Sequence, residues 1–418
     1  MYHGSMESGG QGIYLAHITR ELARLGHEVH VISAPPYPLL DDAVHHHPIA
    51  THSFQSMLLD RAPYFGRRRP LSHFEPLNFF EFVSTRFTFS SLINVFSLRA
   101  IGALNEIEEE HGRFDMVHDN QCLGYGVLLM RALCGRAVVA NVHHPLDVDL
   151  ANGLAHVAGP AAKAQRILWY PWIMQRVVAR RLDAVISGSH ASAELVTRLW
   201  KLRPGLMRAI HDGVDTERFV PGESSERGRG ELLFVGNAED YNKGIVYLLR
   251  AMALLPRDCR AHLNVVGGPQ AASKVVAREV GRLGIADRVT YIGRVSSDEL
   301  AAWYRRARLL VAPSLYEGFG LPAVEAMASG TPVIATDAGA LPELVVDGET
   351  GRVVPKGNPA ALRDAIGDLL ASPDACRRMG AAARARVVEH FTWQECGRKT
   401  EALYEEIVTT RRAHPTEG

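Results

Sequence analysis

Two glutamates and a glycine-rich turn stand together near residue 320, in the segment EGFGLPAVE. Glu317 lies in the turn, and Glu325 lies eight positions further along, in a stretch with helical character. A carboxylate accepts two hydrogen bonds side by side, which suits a vicinal diol. The free amides of a helix that begins after Gly320 would form an anion site. One carboxylate beside an anion site suggests a ribose next to a diphosphate, and two suggest a sugar at each end of that diphosphate.

Other side chains that can do chemistry follow apolar runs elsewhere in the chain. His143 and His144 come directly after AVVANV, His118 lies in DMVHDN, and Lys243 precedes an apolar helical segment. A histidine at a strand end is often only a satisfied polar residue, and a lysine at a helix start is often only exposed. Two adjacent histidines at the carboxyl edge of a sheet nevertheless favour a binding role, since ligands of parallel sheets gather there.

Short apolar runs that end at polar, glycine or proline residues alternate with amphipathic segments through nearly the whole chain. The first half has EVHVISAP, DMVHDN, AVVANVHH, DAVISGS and LMRAIHDG; the second has ELLFVGN, AHLNVVGG, RVTYIGR, ARLLVAPS, TPVIATD and TGRVVP. Such alternation is typical of βαβ units and parallel sheets. The polar stretch 221–231 has the composition of a linker. The sequence therefore predicts an α/β protein with two doubly wound domains and a ligand cleft between them.

The composition is that of a globular protein of two domains, with 418 residues, of which 47% are hydrophobic and 22% charged. Lysines and arginines number 46, as do aspartates and glutamates, so the charge balance does not indicate nucleic-acid binding. Five scattered cysteines indicate reduced thiols, and neither a signal peptide nor a membrane-spanning run is visible. We expect a cytoplasmic protein, or one held peripherally at the inner membrane face.

Residues 36–100 interrupt the alternating pattern. His45–His47 are three adjacent histidines, which cannot easily converge on one metal, and no carboxylate or thiol spacing supports them. Residues 61–89 combine an arginine run with several aromatic side chains, which would suit a membrane interface or an acceptor. The favoured alternative is an excursion whose aromatic side chains pack on the domain while the arginines stay solvated.

The segment EGFGLPAVEAMASGTPVIAT resembles the E-x7-E signature of the retaining glycosyltransferases of family four, which have the GT-B fold. Weaker resemblances cover most of the chain, in GIYLAHITRELARLGHEVHVIS, LDAVISGSHASAEL, AIHDGVDTERFVP, LLFVGNAEDYNKGIVYLLRAM and FTWQECGRKTEALYEEI. The resemblance implies an acceptor-side Rossmann-like domain at 1–220, a donor domain at 221–388, and a last helix at 389–418 that crosses back. It implies transfer of a hexose-type sugar from a nucleotide-diphosphate sugar to an unidentified sugar, lipid-linked or small-molecule acceptor.

The resemblance also assigns roles in donor binding. Glu325 would bind the donor ribose, Glu317 the transferred sugar, and Lys243 the diphosphate, whose leaving charge it would stabilise. Backbone amides of three residues would meet the sugar and the diphosphate: Phe319, Gly320 and Leu321. No cofactor or metal is expected, because helix amides and Lys243 would replace the divalent ion that other transferases use.

On the acceptor side, the resemblance places His143 close to the transferred sugar, with His144 as the alternative and His118 as a weaker candidate. No carboxylate of the N-terminal domain stands out as a base. That pattern fits a retaining enzyme, in which the leaving diphosphate takes the acceptor proton on the same face of the sugar.

One position departs from the family pattern. Asn237 stands where the family usually has an arginine, so a positive charge is lacking there. Arg294, in YIGRVSSDEL, could compensate from the nucleotide-base pocket, or it could be an ordinary surface residue. Two alternative functions stay open: a non-catalytic or degenerate nucleotide-sugar-binding protein, and a sugar-nucleotide epimerase on the same fold. A phosphorylase is not favoured, because no lysine for pyridoxal phosphate is evident.

The amino terminus also departs from the family pattern. The cluster SGGQG precedes a helical segment, and Gly10 and Gly12 would let the backbone approach the diphosphate or the acceptor. The family has an apolar strand before this loop, whereas MYHGSMES has neither the length nor the apolar character of a buried strand. We therefore expect the first strand to be missing, and the natural start to lie upstream of Met1.

Overall fold

The computed structural model describes residues 1–3, 10–50, 76–85, 89–155, 159–169, 172–222, 228, 230–268 and 273–413. The chain forms two compact units. The N-terminal unit contains Met1–Gly188, Ser192–Ile210 and Gly397–Gly418, and the C-terminal unit contains Ser189–Ala191 and His211–Cys396. The main change of unit falls after residue 210, and the last segment of the N-terminal unit begins at 397. Within the C-terminal unit, the Val214 amide donates to the Phe391 carbonyl at 2.9 Å.

The N-terminal unit contains two groups of parallel strands. Three strands are ordered β1-β2-β3: β1 (Tyr2–His3), β2 (His30–Ala34) and β3 (His45–Pro48). Four strands follow in the order β4-β5-β6-β7: β4 (Met116–Asn120), β5 (Ala137–Asn141), β6 (Ala184–Ser187) and β7 (Met207–Ala209). All the predicted apolar runs of this half contain strands. The strand at His45–Pro48 was not predicted, because its polar residues lack the apolar pattern of a strand.

The first strand is short, but it is not missing as the sequence suggested. Tyr2 is fully buried and pairs with Ser33 of β2. The Met1 carbonyl accepts from the Asn120 amide at 2.9 Å, so the same segment also contacts β4. The amino-terminal parts of β2 and β4 border a cavity of about 670 Å³.

Helices cover the strands of the N-terminal unit. They are α1 (Gly10–Arg24), α2 (Pro76–Ser84), α3 (Phe89–His111), α4 (Tyr125–Cys134), α5 (Leu146–Ala155), α6 (Pro160–Trp169), α7 (Trp172–Ala179) and α8 (His190–Trp200). Gly10 and Gly12 lie in the first turn of α1 rather than in a loop, which corrects the prediction of a glycine loop at these two residues. The core is formed by apolar side chains of β2, β4, β5, β6, α3, α4, α7 and α8, with Phe96 and Trp200 fully buried.

The C-terminal unit contains one parallel sheet with the order β10-β9-β8-β11-β12-β13. Its strands are β8 (Glu231–Val235), β9 (His262–Val266), β10 (Val289–Gly293), β11 (Leu309–Ala312), β12 (Val333–Thr336) and β13 (Gly351–Val354). Its helices are α9 (Ile245–Leu254), α10 (Lys274–Leu283), α11 (Ser297–Arg306), α12 (Leu321–Ala328), α13 (Leu341–Leu344), α14 (Pro359–Ala371) and α15 (Pro373–His390). The last helix, α16 (Trp393–Ala413), begins in this unit. The strand order reverses between β8 and β11, and doubly wound sheets bind ligands at such a point.

The interfacial element predicted at 61–89 lies largely outside the described residues, which exclude 51–75 and 86–88. Helix α2 supplies its described part, in which Phe79 and Phe80 are exposed. Among the residues that the structure describes, no helix has the length and apolar character needed to cross a bilayer.

Candidate active site

The residues predicted to bind the donor gather at the carboxyl edge of the C-terminal sheet. Lys243 follows β8 at the end of a short helical turn, Tyr241–Lys243, in which the Asn242 amide donates to the Asp240 side chain. Glu317 lies in the loop after β11, and Gly320 ends that loop at the start of α12. Since β8 and β11 are neighbours at the point of strand reversal, their loops meet although 74 positions separate Lys243 from Glu317.

Lys243 and Glu317 form a bidentate ion pair. The Lys243 Nζ lies 2.9 Å from each oxygen of the Glu317 carboxylate, and the Ser314 hydroxyl donates to the same carboxylate at 3.0 Å. Desolvation lowers the pKa of Lys243, but the charges of Glu317 and Asp240 raise it by more, so the net pKa is above its ordinary value. The lysine is therefore a fixed positive charge at neutral pH.

The two loops approach each other closely at Gly244. This residue has a φ of +64°, and a Cβ added to it would lie 2.0 Å from the Pro313 carbonyl oxygen. The Leu315 amide also donates to the Asn242 carbonyl at 2.7 Å. A glycine is needed after Lys243 both for the backbone conformation and for this contact.

The turn before α12 leads directly into the first backbone amides of the helix. Gly320 is the residue before the helix and has a φ of +109°, which favours glycine. Leu321 and Pro322 begin the helix, and proline costs nothing there because the first amides of a helix have no partner within it. Phe319 is buried and packs against the core of the unit. The amide-bearing end of α12 therefore lies beside the Lys243–Glu317 pair.

Glu325 lies within α12 and is buried. One of its oxygens accepts a hydrogen bond from the Tyr304 hydroxyl at 2.7 Å. Burial raises the pKa of Glu325 to about 7, although the bond from Tyr304 lowers it in part. Sequence reasoning missed Tyr304, since nothing in WYRRARLL distinguishes it from a core aromatic residue of α11.

Asn237 and Arg294 lie on the same edge, after β8 and β10 respectively. The Asn237 side chain is exposed, and its carbonyl oxygen accepts from the Glu239 amide at 3.1 Å, so it shapes the turn after β8. Arg294 is also exposed. The structure places Arg294 on the predicted edge, directly after β10.

In the N-terminal unit, His143 lies just after β5. Its Nε2 donates to the Asn120 side-chain oxygen at 2.7 Å, and the Asn120 amide group donates in turn to the Gln11 carbonyl in the first turn of α1. The Tyr14 ring packs edge-on at 4.8 Å between ring centroids. Burial lowers the pKa of His143 to about 4, so the imidazole is neutral at physiological pH. The histidine and the glycine-containing turn of α1 are thus held together.

Gln121 positions the loop that carries both histidines. Its side-chain oxygen accepts from the His143 amide at 2.7 Å and from the His144 amide at 3.1 Å. Its backbone has a φ of +64°, which costs free energy in a residue other than glycine. Gln121 was not predicted. Its one signal in the sequence is that it is a polar residue directly after a predicted strand.

His118 differs from the other two histidines. Its Nδ1 accepts from the Tyr404 hydroxyl of α16, and its Nε2 donates to the Asn141 side chain at 3.1 Å. Burial lowers the pKa of His118 to about 3. These contacts give His118 a role in attaching α16 to the N-terminal unit.

Comparisons with known proteins match both halves of the chain. A family model described as "Glycosyltransferase Family 4" matches residues 8–218, and one described as "Glycosyl transferases group 1" matches residues 229–372. The MMP alpha-(1->4)-mannosyltransferase of Mycolicibacterium hassiacum is 39% identical over 413 residues, with 97% of each chain covered. The D-inositol 3-phosphate glycosyltransferase of Corynebacterium diphtheriae is 30% identical over 422 residues, covering 96% of this chain and 90% of that protein.

Solved structures share the architecture. Sucrose-phosphate synthase from Thermosynechococcus elongatus superposes with a TM-score of 0.72 at 25% identity, covering 98% of both chains. HepE from Anabaena, in complex with UDP-glucose, superposes with a TM-score of 0.68 at 18% identity, covering 96% of this chain and 98% of that one. The second likeness concerns the fold alone.

Proposed function

The chain belongs to the group 1 glycosyltransferases of family four and has their GT-B fold, and we propose that it is a retaining enzyme. It transfers a hexose-type sugar from a nucleotide-diphosphate sugar to an acceptor hydroxyl and needs no metal ion for this step. The observation that carries the proposal is the ion pair of Lys243 and Glu317 beside the start of α12.

The ion pair suggests how the donor is bound. When the diphosphate enters, its oxygens take the place of the Glu317 carboxylate as partners of Lys243. Glu317 then accepts hydrogen bonds from hydroxyls of the transferred sugar, while amides from Phe319 to Leu321 bind phosphate and sugar oxygens. Each charged group exchanges one partner for another, so binding leaves no buried charge unpaired.

Glu325 binds the ribose hydroxyls in this proposal. Its Oε2 is held by Tyr304, which fixes the direction of the carboxylate along α12. The ionised form accepts more hydrogen bonds than the protonated form, and the raised pKa therefore makes donor affinity depend on pH near neutrality.

In the transfer step, the bond from C1 of the sugar to the diphosphate oxygen breaks, and the acceptor oxygen bonds to C1 from the same face. The acceptor proton passes to the leaving diphosphate oxygen. Lys243 and the amides of α12 stabilise the negative charge that develops there. His143, which is neutral, contributes a hydrogen-bonding group near the reacting sugar rather than a charge.

Mannose is the first sugar to test, because the relative that is 39% identical is named as a mannosyltransferase. Mannosides are the first acceptor class to test. Inositol 3-phosphate is the second, because several relatives are named as D-inositol 3-phosphate glycosyltransferases. The acceptor is otherwise open.

The test combines nucleotide-sugar binding with analysis of the product. GDP-mannose, UDP-glucose and ADP-glucose are screened by thermal shift, and bound donors are then incubated with methyl mannosides or inositol phosphate, with and without a chelator. We expect an α-linked product from an α-linked donor by NMR, formed equally with the chelator. A β-linked product would refute retention, and loss of activity on chelation would refute metal independence.

A degenerate binding protein is the second candidate, and the observation in its favour is the exposed, uncharged Asn237. It predicts donor binding without turnover for every acceptor. The variant N237R separates the two functions, because it would create transfer in a degenerate protein and change an active one only modestly.

A further inference from the structure

A cluster of imidazoles lies on one face of β2 and β3, at the amino-terminal ends of these strands. The strands are parallel, and His30 is directly opposite His45 while Ile32 is opposite His47. Successive side chains of a strand point to opposite faces, so His45 and His47 lie on the face of His30, and His46 lies on the other face. His46 accordingly contacts the Ser33 hydroxyl at 2.7 Å. The adjacent histidines of the sequence thus separate into two groups.

A carboxylate completes the cluster. Glu28 precedes His30 by two residues, and its Oε1 lies 2.9 Å from the His30 Nε2. Ligand atoms of Glu28, His30 and His45 all lie within 4.8 Å of one another. His111, the last residue of α3, has its Nδ1 at 3.4 Å from the same Glu28 oxygen. Glu28, His30 and His45 therefore lie within reach of one ion, and His111 adjoins them through its contact with Glu28.

We propose that Glu28, His30 and His45 bind a divalent transition metal, with Zn²⁺ as the best match and His111 as the fourth ligand. Zinc prefers four nitrogen, sulfur or carboxylate ligands in a tetrahedron. With bonds of about 2.0–2.1 Å, tetrahedral ligand atoms stand roughly 3.3 Å apart. The ligand atoms of Glu28, His30 and His45 lie within 4.8 Å of one another, so they would draw closer together around a bound ion.

The groups around His30 are those of a metal ligand. Its Nδ1 lies 2.9 Å from the His47 Nε2, so a proton on Nδ1 leaves Nε2 able to bind a metal in place of its present contact with Glu28. Such an outer partner orients the ring and selects the tautomer at many metal sites. The His30 side chain is only 4% exposed, whereas Glu28 is 58% exposed, which gives a fixed ligand and an open path for the ion.

The site is separate from the transfer chemistry. His30 and His45 are the first residues of their strands, whereas His143 lies beyond the carboxyl end of β5 in the same unit. The metal joins β2, β3 and the end of α3, so its role is to stabilise this part of the N-terminal unit. Loss of the metal should lower thermal stability and leave the chemistry of transfer intact.

The experiment uses the full-length protein without a histidine tag, freed of metal by a chelator that is then removed. Zn²⁺ is titrated at neutral pH by calorimetry, and Co²⁺ absorption reports the coordination geometry. We expect one equivalent of Zn²⁺ to bind, with affinity reduced more than about tenfold in H45Q and in E28Q. The matched control is H46Q, which removes a histidine of the same triplet from the other face and should keep the affinity of the unchanged protein.

The proposal is overturned if the unchanged protein takes up no stoichiometric Zn²⁺, or if H46Q weakens binding as much as H45Q does. Circular dichroism establishes that each variant is folded, and the exposure of His45 and Glu28 makes misfolding of these two variants a minor concern. H30Q removes a buried group, so it is compared only after H45Q and E28Q.

Discussion

Glu325→Gln is expected to make the protein more stable at alkaline pH while weakening donor binding. Gln has nearly the shape of Glu and can accept the hydrogen bond from Tyr304, but it carries no charge. The wild-type carboxyl has a pKa of about 7 in the folded state because it is buried, against 4.5 when it is unfolded and solvated. The substitution therefore removes the free-energy cost of a buried negative charge.

The sign and size of the effect follow from this shift. A carboxyl whose pKa is raised on folding contributes stability below pH 4.5, and this contribution is lost as the pH rises through about 7. The shift corresponds to a cost on the order of 3 kcal/mol at pH 8. In a unit of this size, that cost lowers the melting temperature by roughly 6–12 °C. We expect E325Q to exceed the wild type by such a margin at pH 8 and to match it near pH 4.5.

The assay is the difference in melting temperature between E325Q and the wild type from pH 4.5 to pH 8, together with calorimetric donor binding at each pH. Glu349, an exposed carboxylate of the same unit, provides the control E349Q, which should leave the melting temperature close to that of the wild type. A difference for E325Q that is constant across this range would refute the buried-charge reasoning. Unchanged donor affinity in E325Q would refute the assignment of Glu325 to the ribose.

Three further predictions concern the donor edge of the C-terminal unit and the loop that carries His143. Gly244→Ala should destabilise the protein by about 1–3 kcal/mol in urea unfolding, because Gly244 has a positive φ and lies against the Pro313 carbonyl. The control Gly281→Ala, in open space on α10, should stabilise the protein by about 0.5–1 kcal/mol. Equal effects of the two substitutions would contradict this explanation. Gln121→Ala should lower kcat in steady-state assays and leave nucleotide affinity unchanged, because the substitution releases the loop that carries His143. A change in nucleotide affinity with kcat unchanged would contradict this role of Gln121. Lys243→Ala should lower kcat by about 10²-fold or more, and Lys243→Arg should recover part of the rate. A rate near that of the wild type in Lys243→Ala would exclude the role of Lys243 in binding the diphosphate.

Most strands could be predicted because their signals are local. Runs such as ELLFV and TPVIAT are apolar and end at glycine or polar residues, and each forms a buried parallel strand. The turn before α12 could also be predicted, since Gly320 has a positive φ and Pro322 lies in the first turn of the helix, where proline is tolerated. β3 escaped prediction because His45–His47 are polar, and a strand at the edge of a sheet does not need apolar residues on both faces.

Local patterns gave a wrong prediction at the amino terminus. The sequence indicated a missing strand and a glycine loop, whereas Tyr2–His3 form a short strand and Gly10 and Gly12 begin a helix. Two residues carry too little pattern to be recognised as a strand. Their backbone partners, which include Asn120 of β4, come from far along the chain.

The two α/β halves, the family resemblance and the residues of the donor edge can be predicted from local patterns, because periodicity, turn residues and motif spacing are properties of neighbouring positions. The folded chain is needed to show which distant groups meet: Lys243 with Glu317, Tyr304 with Glu325, and Glu28 and His30 with His45. These contacts depend on strand order and register, which are set by the packing of whole layers. The same physical reason explains why an unpromising triplet of histidines becomes a candidate metal site once β2 and β3 are aligned.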